Sequence, residues 1–199
     1  KERLTSPISC RTILAHIRYA TIGNVEYSNC HPYTMKDDSG RRWTQVHNGT
    51  IFDYQPLEKY VKYQSGDTDS ERILLYFVEK INQAQAYYKK PLCGEERFRL
   101  LDDILVSMSK GNKLNLMLYD GEYMYVHTNY AASLYYKEID GGRIFATVPL
   151  DGEYWQPVPF TRLLAYKDGK LVFEGTNHGN EYVDREENLK YLYQIFSSL

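Results

Sequence analysis

The segment HNGTIFDY, from His47 to Tyr54, sets a His-Asn-Gly step between Val46 and Ile51, where a strand would ordinarily continue. Asn and Gly pack poorly inside strands, so something local requires them. One account is a turn, because Asn-Gly is a strong hairpin signal and both residues tolerate positive φ. The other is chemical. A glycine lets a ligand approach the backbone, leaving its N–H and the Asn carboxamide as two donors aimed at one oxygen. Three more polar clusters accompany this one: HIRYATIG (His16 to Gly23), NCHPY (Asn29 to Tyr33) and GDTDSE (Gly66 to Glu71). Taken singly, Arg18 reads as a sheet-edge salt bridge and Asp69 as an N-cap before a helix from Ser70, with Asp67 competing for that position. His16 and His47 fall inside strand-like runs, where a satisfied core histidine is the common outcome.

The elements that would position these clusters follow from periodicity. Ile13 to Ala20 and Thr44 to Ile51 have the composition of strands, joined by a Gly-, Asn-, Pro- and Asp-containing loop. Loops beyond about 12 to 15 residues in compact domains are commonly functional, so this one is expected to frame a site. Asp53 to Gln64, Ser70 to Lys89 and Glu95 to Ser109 carry helical spacing. Leu114 onward reads as a meander turning at Asp120-Gly121, Asp140-Gly142 and Asp168-Gly169, and Arg185 to Ser197 as a closing helix. Strands, helices, strands, then a helix is an α+β order, with antiparallel sheet covered by helices.

Bulk properties exclude several classes. The chain has 199 residues, 43% of them hydrophobic, which suits one well-buried domain spanning 1–199. A net charge of −2 advertises no nucleic-acid partner, and no apolar run approaches the roughly 18 residues of a membrane span. Cys10, Cys30 and Cys93 are an odd set at unrelated spacings, which fits reduced thiols in the cytoplasm better than disulfides or a zinc site. No metal is expected. The chain has 20 tyrosines, and the cluster of them between Tyr119 and Tyr136 falls in a period-two pattern, which is sheet packing and not chemistry.

In this order the four clusters resemble the class II glutamine amidotransferases, N-terminal-nucleophile (Ntn) hydrolases whose pattern runs H-x-R-[WY]-A-T-x-G, N-x-H-P, H-N-G-x-I and [GS]-x-T-D-[ST]-E. The tail IFATVPLDGEYWQPVPFTRLLAYKDGKLVFEG is similar to that of small stand-alone amidotransferase-like hydrolases. The resemblance implies a four-layer αββα sandwich of antiparallel sheets flanked by helices. It implies Arg18 as the grip on the α-carboxylate of glutamine, a role its planar fork suits, with Thr21 and Tyr19 beside it. Asn48 and Gly49 would form the oxyanion hole, and Asp69 would bind the α-amino group. Asn29, His31 and Pro32 would shape the loop beneath. No cofactor is implied.

Two positions depart from the pattern. The transferases carry a second His after the Thr, where this chain has Ile22, which leaves the substrate open between glutamine and another γ-glutamyl amide. The family nucleophile is a Cys at the mature amino terminus, and Lys1 cannot serve. The resemblance therefore places a Cys, and a first strand bearing it, upstream of Lys1, so that the domain is expected to be N-terminally incomplete in this sequence. The functional expectation is an amidohydrolase of glutaminase type acting on a small-molecule γ-amide. An inactive γ-glutamyl-binding or regulatory module, and a glutaminase supplying ammonia to a synthase partner, stand as alternatives; a homo-oligomer is compatible with each.

Overall fold

A computed structural model describes residues 9–18 and 25–190 of the chain. Among the described residues nine strands, β1 (Tyr33–Lys36), β2 (Arg42–Thr50), β3 (Lys113–Tyr119), β4 (Met124–Thr128), β5 (Tyr135–Ile139), β6 (Gly142–Ala146), β7 (Gln156–Pro157), β8 (Arg162–Lys167) and β9 (Lys170–Glu174), accompany helices α1 (Asp69–Tyr88) and α2 (Gly94–Met108). A six-stranded sheet runs in the order β1-β2-β3-β4-β8-β9 and a three-stranded sheet in the order β6-β5-β7, with every pairing antiparallel.

The period-two alternation of the large sheet explains how it holds two layers apart. One face presents Trp43, Leu114, Leu116, Leu118, Tyr125, Leu163 and Ala165 to α1 and α2, which contribute Ile73, Phe77, Ile81, Leu101, Leu105 and Met108. The other presents Val126, Leu164 and Tyr166 to Leu134, Tyr136, Phe145 and Val158 beside the small sheet. Helices, large sheet and small sheet are three layers of the expected sandwich; the fourth has no counterpart among the described residues.

Local chemistry sets the helix ends. Thr68 caps α1, accepting from the Glu71 N–H at 3.2 Å, while the Glu71 carboxylate reaches back to the N–H groups of Ser65 (2.7 Å) and Gly66 (2.9 Å). Asp69 is thus the first helical residue, not the cap. On α2, Arg97 is buried in an ion pair, with Nε donating to Asp120 Oδ2 at 2.7 Å and Nη2 to Glu122 Oε2 at 2.8 Å. That pins α2 to the β3–β4 turn. The turns at Gly121, Gly141 and Asp168-Gly169 carry positive φ as their residue types predict.

Four expectations change. Residues 13–18 form no strand; Ile17 is fully exposed, and no described strand lies alongside to take the ladder hydrogen bonds that define one. The long loop is not wholly irregular, since β1 lies within it and pairs with β2 from Tyr33↔Gln45 to Lys36↔Arg42. The helix expected over 53–64 is a 3-10 run, Gln55–Lys62, with i→i+3 bonds such as Leu57 N to Tyr54 O at 3.0 Å. Its entry is fixed by Asn112, whose Oδ1 accepts from Phe52 N (2.6 Å) and Asp53 N (3.0 Å). Finally, Asn48-Gly49 is not a turn. Both lie inside β2, opposite Asn115 and Leu114.

Toward the carboxyl end the chain returns to the core. The Asn129 carboxamide receives Leu114 N at 2.8 Å and donates to the carbonyls of Ser109 (3.2 Å), Asn112 (2.8 Å) and Asn180 (3.1 Å). Tyr182 N donates to the Asn129 carbonyl at 2.7 Å. The closing helix is described from residue 186 to 190.

Candidate active site

A Cβ at Gly49 would stand 2.0 Å from the Lys113 carbonyl oxygen and 2.5 Å from His47 Nε2, so no side chain fits there. Leu114, opposite Gly49, spends its N–H on Asn129 Oδ1 (2.8 Å) and its carbonyl on His127 Nδ1 (3.1 Å), both on the β4 side. In an antiparallel ladder such a pair exchanges no bonds across β2–β3, which turns the Gly49 N–H to the opposite edge of β2. Ile51, two residues on and of the same parity, sends its N–H to Asp69 Oδ2 at 2.8 Å. Past Gln45 that edge of β2 has no neighbouring strand among the described residues. The Asn48 side chain is exposed and makes no hydrogen bond with any described residue.

His16 and His31 gather on the β1 side. His31 packs its ring 4.2 Å from that of His16 and 4.9 Å from that of Tyr33, and neither of its nitrogens has a partner among the described residues. Burial, reinforced by His16, His47 and Arg18 nearby, holds His31 at a pKa of about 3. Burial likewise lowers His16, followed by the charges of His47 and Arg18. Arg18 is half-buried, and with Glu71 and Asp69 it acts on the Tyr33 hydroxyl, which shares a 2.7 Å hydrogen bond with Thr68 Oγ1. Arg18 and Asp69 therefore border the same small region, where α1 begins beneath β1 and β2. Tyr19 and Thr21 lie outside the described residues.

Two connections not foreseen from the sequence hold this region. His47, buried, donates from Nε2 to the Lys113 carbonyl at 3.3 Å, leaving Nδ1 to accept from Ser70 Oγ at 3.0 Å. Burial lowers its pKa, opposed by Asp69 and the Lys113 carbonyl. The loop is clipped to the start of α1 by Asn29, whose Nδ2 donates to Asp67 Oδ1 while its Oδ1 accepts from Asp67 N at 2.9 Å. Gly66 beside this clip has no room for a Cβ, which would meet Asn29 Oδ1 at 2.1 Å. Asp67 is thus engaged with Asn29. The T-D-S-E spelling draws attention to capping and hides Ser70, whose partner lies 23 residues earlier on β2.

The three thiols are exposed, and none meets Asn48 or Gly49: Cys30 Sγ donates to Glu26 O at 3.6 Å, and Cys93 caps α2. No group of three or more His, Cys, Asp or Glu that could hold a metal occurs among the described residues, and no described helix is long and apolar enough to cross a membrane. Two hollows of about 450 and 260 Å³ lie elsewhere, around Pro159 and Phe160, and share no lining residue with this region.

Residues 3–138 match the profile of the class II glutamine amidotransferases. The chain belongs to that family. An uncharacterised protein of Methanocaldococcus jannaschii is 27% identical over 193 residues, covering 83% of this chain and 53% of its own length. YafJ of Escherichia coli K12 is 33% identical over 125 residues, covering 62% of this chain and 48% of its own length. The chain thus spans about half the length of these two relatives. In fold it is similar to a crystal structure titled as a predicted glutamine amidotransferase from Pseudomonas aeruginosa PA01, with a TM-score of 0.61 at 21% identity over 74% of this chain and 66% of that one. The layered antiparallel sheets follow the Ntn-hydrolase-like fold.

Proposed function

We propose that this protein is an amidohydrolase of glutaminase type, cleaving the γ-amide of glutamine or of a γ-glutamyl compound. The observation that carries the reading is a pair of neighbouring donors on β2 that no described residue takes up. The Gly49 N–H turns to the edge of β2 that no described strand covers, and the Asn48 carboxamide beside it has no hydrogen-bond partner among the described residues. Oxygen charge growing on a substrate carbonyl at that edge would be met by both. Asp69, joined to the same edge through Ile51, would take the α-amino group, and Arg18 the α-carboxylate, with Tyr19 and Thr21 beside it.

The reaction needs a thiolate with a proton-shuttling amine, and none of Cys10, Cys30 and Cys93 is an amino-terminal residue. This reading assigns that role to a cysteine ahead of Lys1. Its sulfur attacks the γ-carbonyl carbon, the C–N bond breaks, and the nitrogen leaves with a proton as ammonia or amine. Water then attacks the thioester and releases glutamate, regenerating the thiol. A separate synthase partner receiving the ammonia is compatible with this chemistry, and the cytoplasm is its expected compartment.

The test is ammonia release from glutamine, and glutamate release from γ-glutamyl amides, by the intact protein. Turnover that disappears when the amino-terminal cysteine is changed to Ala supports the reading. An intact chain that binds glutamine but releases neither product would make it a binding module instead.

A further inference from the structure

The sheet order sets out three stations across the site. Groups proposed for the amino-acid end, Arg18 and Asp69, act on Tyr33 of β1, while Asn48 and Gly49 stand on β2; what β3 presents next to them is what the departing nitrogen would meet. Lys113 opens β3 opposite Thr50, and Asn48 faces Asn115. Residues two apart share a face, so the Lys113 side chain rises on the face of Asn48, one diagonal step away, roughly 7 to 8 Å between backbones and within reach of a long side chain.

The Lys113 ammonium is half-buried and has no ion-pair partner among the described residues. It rests on the Tyr130 ring, 3.8 Å from the centroid. Asp184, the acid whose charge it feels, accepts at Oδ2 from the Tyr130 hydroxyl at 2.7 Å. Burial accordingly lowers the Lys113 pKa, with Asp184 opposing. A ring face offsets part of the lost hydration of an ammonium but accepts none of its three N–H bonds in the way an oxygen would. Tyr130, whose ring carries the cation, also lines the hollow of about 260 Å³ with Thr128, Leu134 and Phe160.

We propose that Lys113 is the anion-binding element on the leaving-group side, and that the favoured substrates are γ-glutamyl amides whose amine portion carries a carboxylate. This rests on the amidohydrolase reading. Glutamine, whose leaving group is bare ammonia, would leave Lys113 unused.

The test compares γ-glutamylglycine with γ-glutamylglycinamide, which differ in terminal charge, as substrates of the intact protein. Their affinities are measured in parallel by calorimetry on the Asn48→Ala protein, where turnover is suppressed. The expected kcat/KM ratio, acid over amide, is about tenfold or more; it falls close to one in Lys113→Met and is retained in Lys113→Arg. A ratio near one in the unchanged protein, or one that survives Lys113→Met, overturns the proposal. If no γ-glutamyl compound is hydrolysed, the amidohydrolase reading fails, and calorimetry still decides Lys113: tighter binding of the acid upholds it and equal affinities overturn it.

Discussion

The Ile51 N–H donates to the Asp69 carboxylate at 2.8 Å, tying the end of β2 to the first turn of α1. One side chain thereby fixes the strand that carries Asn48 and Gly49 against the acid proposed for the substrate amine. Asp69→Asn keeps an oxygen for Ile51 and removes the charge. It is expected to raise KM for glutamine by about tenfold or more while leaving the fold intact, since a charge-assisted contact is worth about 1.5 to 3 kcal/mol. Steady-state kinetics with a circular-dichroism melt check this, and an unaltered KM removes Asp69 from amine binding.

Asn48→Ala separates chemistry from stability. The side chain is exposed and has no described partner, so stability should change by no more than about 0.5 kcal/mol. Turnover should fall by about 10²- to 10³-fold, the usual effect of losing one oxyanion donor. A variant with wild-type kcat would take Asn48 out of the mechanism.

Gly49→Ala should damage both. The added Cβ would fall 2.0 Å from the Lys113 carbonyl oxygen, a backbone atom with no freedom to withdraw. We expect a loss of about 1 to 3 kcal/mol in urea unfolding, the range for overpacked sites, together with loss of activity. Full stability in this variant would mean that β2 and β3 lie further apart at this point.

Arg18→Ala should act mainly on KM, because a carboxylate grip serves substrate and transition state alike. Initial rates over a wide glutamine range separate the two parameters. A fall in kcat at unchanged KM would place Arg18 at the reacting carbon instead.

Stability should also fall on mild acidification. Buried His127 is held at a pKa of about 3, as is His31, by burial first and then by neighbouring histidines. The unfolded chain takes up these protons near the ordinary histidine value of about 6.5 and the folded chain does not. Stability is therefore fully present above about pH 7 and declines as pH drops below 6.5, by about 1.4 kcal/mol per pH unit for each such group. Urea titrations at pH 7.5, 6.0 and 5.0 measure the slope. His127→Gln should reduce it by one proton, and an unchanged slope would show that His127 takes up its proton in the folded state.

The two α-helices and the Asp-Gly hairpins were legible because their signals are local. Ile73, Phe77 and Ile81 mark one face of α1, and Asp168-Gly169 spells a turn whoever its neighbours are. What depends on distant partners was not. Ile13 to Ala20 has strand composition, yet a strand exists only where another chain segment completes it. Tyr33 to Lys36 looks like loop until Gln45 and Trp43 pair with it. Asn48-Gly49 has the spelling of a turn and the backbone of a strand, because the constraint on Gly49 is a carbonyl 64 positions away at Lys113. The motif order pointed to the family without these contacts. It could not show that Ser70 and His47 join, nor that Lys113 stands across from Thr50, since register is absent from a linear sequence.

The carboxamide of Asn129 gathers β3, the end of α2 and the segment through Tyr182 around one side chain. Tyr182 is for this reason a buried anchor that closes the interior, while Asn177, Gly179 and Glu181 before it stay exposed. The Tyr182 amide proton should exchange with deuterated solvent only when the whole molecule opens, whereas a protease should find the exposed residues just before it easier to cut than the centre of the sheet.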